Sequence, residues 1–336
     1  MYIIMAILAF GVLIIVHELG HFTLAKLNGV RVEEFSIGMG PKIFSKQGKE
    51  TKYSLALFPI GGYVKMMGEE ESVSDERSFS SKSPLRRISI IIAGVIMNYV
   101  LAIVIFTTII YNFGYTNPIP TAVTPSSPAS EAGLLAGDKL LKVNGMRAFS
   151  SDNISAGVAL SYGNPINISF ERNGEKRDIT VTPRKNEEGQ LLIGLTFTKV
   201  QNPGIVESFN QSFNKTASLV SQTFKGLEMI FTGKANLKTD VGGPITIIKM
   251  SAATAESGIW SLANFVGFLS VNLAVFNLLP FPALDGGWCV ILLIELITRR
   301  KVPDKIVGVL NYVGFAALIG LMILVTVKDI LFPVKF

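Results

Sequence analysis

The stretch YIIMAILAFGVLIIVHELGHFTLA, Tyr2–Ala25, decides how the rest of the chain is read. The sixteen residues before His17 are almost free of polarity, and about 20 mostly apolar residues suffice to cross a bilayer as a helix. No Lys or Arg precedes Lys26 and no small-residue cleavage site follows the apolar run, so a retained span is expected rather than a cleaved leader. Polarity then arrives in a set pattern, His17-Glu18-Leu19-Gly20-His21, which holds both histidines of the chain. On a helix, positions i and i+4 share a face about 6 Å apart along the axis. Two imidazoles can therefore reach one metal ion while Glu18 flanks it. Such polar groups are costly inside a membrane unless they have a task.

Working outward, three further stretches are long and apolar enough to span: about 88–111, 259–279 and 306–332. Of the 336 residues, 49% are hydrophobic and 17% charged, with a mean hydropathy of +0.44. Soluble domains carry about 25% charged residues. Disorder, collagen and coiled coil are excluded, and a single cysteine, Cys289, excludes a disulfide scaffold. The net charge of +6 forms no basic cluster interleaved with aromatics, so nucleic acid is not expected as a partner. The basic residues set topology instead. Eleven lie between Lys26 and Arg87, four more at Arg299, Arg300, Lys301 and Lys305, and none between Arg87 and Lys139. The positive-inside rule then places both termini outside and the two basic loops in the cytoplasm.

The expected fold is an α-helical polytopic membrane protein with four transmembrane helices, a cytoplasmic membrane-associated β-hairpin region and one extracytoplasmic α+β domain. Its expected divisions are 1–112 (two spans and a β-rich loop), 113–200 (the external domain), 201–258 (an external amphipathic helix and linker) and 259–336 (a broken third span and a fourth). Residues 30–32 and 35–37 alternate like strands, 38–41 break them, 42–58 read as a hairpin, 59–64 are unusually apolar for a loop, and 69–83 read as a polar, mobile connection. Ile205, Phe209, Phe213, Thr216, Val220, Phe224, Leu227 and Phe231 recur at steps of three and four, and that helix is expected to lie on the outer membrane surface.

Two nitrogens do not complete a catalytic zinc site. With no further histidine, the third ligand must be a carboxylate or Cys289. The stretch 272–287 offers Asp285 just after Pro280 and Pro282, which must break a helix. Non-helical backbone at membrane depth is tolerated where it lines a watery cavity.

His17-Glu18-x-x-His21, Gly94-Val95-Ile96-Met97-Asn98 and Asn277-x-x-Pro280-x-Pro282-x-Leu284-Asp285-Gly286 together resemble the site-2 protease family of intramembrane zinc metalloproteases. Phe35-Ser36-Ile37-Gly38-Met39-Gly40 and Pro59-Ile60-Gly61-Gly62-Tyr63-Val64-Lys65-Met66 resemble its bacterial regulator-of-sigma-E protease branch. The resemblance implies Zn2+ held by His17, His21 and Asp285, with Glu18 as general base. It implies substrate contacts at Asn277, Asn98, Gly61 and Gly62, and a bacterial inner-membrane location with the active site near the cytoplasmic side. Residues 127–145 are similar to a circularly permuted bacterial PDZ domain, with Ile193-Gly194-Leu195 at the place of its carboxylate-binding loop. Implied partners are the lipid bilayer and single-span substrates such as anti-sigma factors or remnant signal peptides. The sequence sets no oligomeric state.

Two other classes remain open at this point. A non-catalytic scaffold would keep the PDZ domain and use zinc structurally, against which stands the intact Glu18. A metal transporter would use the same three ligands in transit, against which stands the lack of repeated halves.

Overall fold

A computed structural model describes residues 2–69, 73–236, 238 and 240–333, with all their side chains except those of 59 and 60. In chain order the helices are α1 (Tyr2–Leu27), α2 (Pro84–Phe113), α3 (Pro128–Glu131), α4 (Ser151–Ala159), α5 (Ile205–Phe231), α6 (Pro244–Glu256), α7 (Ile259–Asn277), α8 (Asp285–Thr298) and α9 (Asp304–Leu331). The chain divides into two compact units, one built from 1–102 and 236–336, the other from 103–235.

Four helices of the described residues are long and apolar enough to cross a membrane: α1, α2, α7 and α9. They fall on the four expected stretches. Each turns large apolar side chains outward, among them Ile4 and Leu8 on α1 and Phe315 and Leu324 on α9. In water such continuous apolar surface would be covered; in lipid it is the solvent-facing side.

Between α1 and α2 run two long strands, β1 (Val32–Gln47) and β2 (Lys52–Met66). Each bends in its middle, so they act as four short segments in the spatial order 62–66, 32–37, 52–56, 42–47. One carboxylate ties these together. Glu34 accepts from Tyr63 Oη (2.9 Å) and Ser54 Oγ (2.5 Å) and pairs with Lys42, so each of the other three segments supplies a partner. Burial alone would raise the Glu34 carboxyl, but those partners outweigh it and hold it at about 2. Gly61, at φ +91°, makes one of the bends. Of the polar stretch 69–83, residues 70–72 lie outside the described residues. In the remainder, 73–77 are exposed but Phe79 is buried, with Trp288 edge-on to its ring and the Arg87 guanidinium over it.

Two features of this unit were not legible in the sequence reading. Residues 244–256, read there as linker, form α6, which lies against α1, α7 and α9. Its N-terminus is capped from α9, where Asp329 accepts from Gly243 N (3.0 Å) and Thr246 N (2.9 Å). Beyond the proline break, 285–298 form α8, only about 21 Å long at 1.5 Å per residue, too short to cross the roughly 30 Å hydrocarbon core. Glu295 on α8 is buried and receives Arg87 Nη1 at 2.8 Å, which fastens α8 to the start of α2. An acid inside the apolar run Ile291–Thr298 was a signal that a partner must exist.

The second unit holds ten short strands: β3 (Tyr115–Thr116), β4 (Ala122–Val123), β5 (Lys139–Val143), β6 (Met146–Arg147), β7 (Ile166–Arg172), β8 (Glu175–Val181), β9 (Arg184–Lys185), β10 (Leu191–Leu192), β11 (Leu195–Thr196) and β12 (Lys199–Val200). Its antiparallel sheet has the order β6-β5-β7-β8, and α4 packs on it through Ile154 and Val158 against Val143, Ile168 and Phe170. Buried Asp138 takes two bonds of 2.7 Å from Arg172, tying the start of β5 to the end of β7, its neighbour in the sheet. On α5 the burial runs against the habit of soluble helices. Ser208, Ser212 and Thr216 are buried while Phe209, Phe213, Phe224 and Phe231 are exposed.

Candidate metal centre

The site begins on α1, where His17 and His21 are buried one helical turn apart. Their Nε2 atoms are 3.2 Å from each other. From the other end of the sequence, the seven residues that interrupt the helix between α7 and α8 bring Asp285 to the same point. Its Oδ2 is 3.2 Å from His17 Nε2 and 3.6 Å from His21 Nε2. Three possible ligand atoms thus converge, one of them from a residue 264 or more positions from the other two.

The donor set fits zinc on this geometry. A tetrahedral ion with bonds of about 2.0–2.2 Å separates its ligand atoms by roughly 3.3–3.6 Å, which matches the triangle found. Asp285 Oδ2 is buried and makes no hydrogen bond, an arrangement that costs free energy unless a cation is held there. The far side of each imidazole is engaged as a metal ligand requires. His21 Nδ1 lies 2.9 Å from the Ile90 carbonyl, to which it donates, leaving Nε2 with its lone pair toward the cluster. His17 Nδ1 faces the Asn98 amide at 3.1 Å, and Asn98 Oδ1 is itself buried without a partner. The two ends of an amide exchange by a half-turn. With oxygen toward His17, Asn98 accepts from Nδ1–H and frees Nε2 in the same way.

Space for the rings comes from α2. A Cβ on Gly94 would meet His17 Cε1 and His21 Cε1 at 2.7 Å. Glu18 contributes no atom to the converging triangle but lines the same cavity, about 230 Å3, together with Gly62, Tyr63, Leu284 and Trp288. A larger cavity of about 710 Å3, lined by Glu33, Glu34, Lys65 and Asn311, shares Tyr63, Val64, Met66, Glu69 and Trp288 with it. The three converging atoms therefore adjoin a wider vestibule, lined by charged and apolar side chains alike, beside the β1–β2 sheet.

The remaining residues singled out from the sequence fall in different places. Asn277, the last residue of α7, brings Nδ2 to 3.3 Å from His17 Nε2. Gly62 lies on Glu18, since a Cβ there would be 3.1 Å from Glu18 Cγ. Gly61 faces Met39 instead, away from the cavity. Asn98 has no exposed surface and sits behind His17, so the expectation that it touches substrate gives way to a place behind the ligand. Cys289 is buried one turn after Asp285 and is not among the converging ligands. In the other unit, Ile193 and Gly194 join β10 to β11, which Leu195 begins. The Ile193 side chain is in the core, and its carbonyl accepts from Ala129 N at 2.9 Å.

Comparison with known proteins shows the family. The model of peptidase family M50 matches residues 5–321. A protein of Clostridium perfringens, provisionally named a zinc metalloprotease, is 51% identical over 99% of this chain and 100% of its own. Zinc metalloprotease RasP of Geobacillus kaustophilus is 30% identical over 98% of this chain and 97% of its own. That alignment runs over 410 positions, longer than this chain, so the relative carries residues with no counterpart here. A solved PDZ domain of an SdrC-like protein from Listeria monocytogenes covers 25% of this chain and 90% of its own at 20% identity, with a TM-score of 0.23, a score that assigns no fold.

Proposed function

Since the chain belongs to peptidase family M50 and is a metalloprotease of the site-2 protease class, we propose that it hydrolyses a peptide bond within or beside the transmembrane segment of single-span membrane proteins. The observation that carries this is the convergence of His17, His21 and Asp285 next to Glu18 in a helix long and apolar enough to span. His17, His21 and Asp285 would hold Zn2+, which when bound supplies the Lewis acidity that makes water a nucleophile at neutral pH and polarises a carbonyl. Glu18 would take the proton of the attacking water and deliver it to the leaving amine. The Asn277 amide, already beside His17, would donate to the carbonyl oxygen as charge gathers on it. The adjoining vestibule would supply water, without which an intramembrane hydrolase cannot turn over.

A helical amide is closed to attack, so the substrate must be drawn out. The strand edges of β1 and β2 offer a surface on which an extended segment can pair. Charge asymmetry favours termini outside and the site toward the cytoplasm of a bacterial inner membrane. Residues 113–200 would serve as one PDZ-like external module, and the exposed phenylalanine face of α5 would lie on the outer leaflet. Candidate substrates are anti-sigma factors already trimmed outside, or remnant signal peptides. Membership in a metalloprotease family favours catalysis over the scaffold and transporter readings.

Purified protein and a single-span reporter, co-reconstituted in proteoliposomes, test this directly. Cleavage inside the reporter's apolar segment is expected, abolished by a zinc chelator and restored by added zinc. Cleavage that persists after the metal is stripped would refute the metal-dependent reading.

A further inference from the structure

The segment that carries Asp285 to the histidines is held from outside itself. Ala283, two residues before the ligand, has φ +68°, a left-handed conformation that an L-residue avoids because Cβ crowds the following carbonyl. Such a backbone persists only where its surroundings determine it. The surroundings here are α9. The Ala283 N–H donates to Asn311 Oδ1 at 3.3 Å. One turn further along α9, a Cβ on Gly314 would lie 2.5 Å from the Pro282 carbonyl oxygen and 2.6 Å from Pro282 Cβ. The backbone of α9 thus rests directly on residues 282 and 283.

This contact stands out along α9. Among its described residues, Gly314 and Asp329 are the buried ones; Asp329 caps α6 at the far end, and Gly314 sits on the turn before the ligand. The neighbours Tyr312, Val313 and Phe315 are exposed, so ordinary core packing is not what places Asn311 and Gly314 there.

We propose that Asn311 and Gly314 of α9 are positioning residues that hold the left-handed turn at Ala283 and thereby aim Asp285 Oδ2 at the two imidazoles. The proposal rests on the metal-site reading above. Span four then belongs to the construction of the site although it contributes no ligand, and a shift of α9 would loosen the carboxylate before either histidine.

The test is zinc affinity, measured by chelator competition on the full chain in detergent. Asn311→Leu is expected to weaken zinc binding about tenfold, the lower end of what loss of an outer support costs. Glycine adopts a left-handed conformation without help. Ala283→Gly added to Asn311→Leu should therefore return affinity to within about threefold of wild type. Gly314→Val should weaken binding as well, and Ala283→Gly should not repair it, because the clash at Pro282 remains. A merely structural loss in Asn311→Leu would not be mended by a backbone change two residues before the ligand. Wild-type affinity in Asn311→Leu, or failure of Ala283→Gly to rescue it, overturns the positioning role while leaving the metal site intact. A wild type that holds no zinc overturns the metal-site reading and this proposal together. Should Asn311→Leu elute as aggregate, Asn311→Ala carries the same comparison.

Discussion

Glu18→Gln is expected to bind zinc at the wild-type ratio and to lose cleavage of a single-span reporter by about 10²–10⁴-fold, the range that a positioned general base contributes. The two expectations come from one geometry. Glu18 lines the cavity of His17, His21 and Asp285 but lies outside their converging triangle, so its charge is not needed to hold the ion. Glutamine keeps the side chain's length and its packing on Gly62, where the β1–β2 sheet meets α1. What it loses is the ability to take a proton from water and return it to an amine. Zinc content by metal analysis and cleavage by gel, on one preparation, decide the matter. Zinc lost with activity would make Glu18 a ligand, and activity retained would remove it from the reaction.

Gly94→Ala is expected to abolish zinc binding, although the same substitution in an ordinary helix interior stabilises by about 1 kcal/mol. The added methyl would stand 2.7 Å from carbon atoms of both imidazoles, closer than packed atoms come. The clash has no easy relief. Four residues before Gly94 the Ile90 carbonyl takes His21 Nδ1, and four residues after it Asn98 faces His17 Nδ1, so α2 is pinned to the rings on either side of the new methyl. Gly11→Ala is the control, because a Cβ there meets nothing within 4 Å. It should keep zinc at the wild-type level. Zinc retained by Gly94→Ala at wild-type affinity would mean that the rings do not sit as described.

What the sequence made legible was what is local. Apolar length gave the four long helices, and the i, i+4 spacing put His17 and His21 on one face of α1. Pro280 and Pro282 marked the place where the helix breaks before Asp285. What it left hidden depends on partners far along the chain. Arg87 meets Glu295, Ala283 meets Asn311, and Asp329 meets the start of α6, pairings that no periodicity announces. The role of Asn98 changed for the same reason: a polar residue in an apolar helix announces that it has a partner, not which one. Gly61 and Gly62 show the limit at single-residue scale. Adjacent positions in a strand face opposite ways, so one rests on Glu18 and the other turns toward Met39.

The central claim is that one metal ion joins α1 to the start of α8. Zinc per chain, measured on detergent-purified wild type, His21→Ala and Asp285→Ala, tests it most directly and requires no substrate. The account predicts one zinc in wild type and less than about a tenth of that in both variants at the same free zinc, since removing one of three protein ligands costs far more than the tenfold attached to an outer support. Full zinc in Asp285→Ala would contradict it, because the ion would then be held on α1 without the carboxylate that the broken helix delivers.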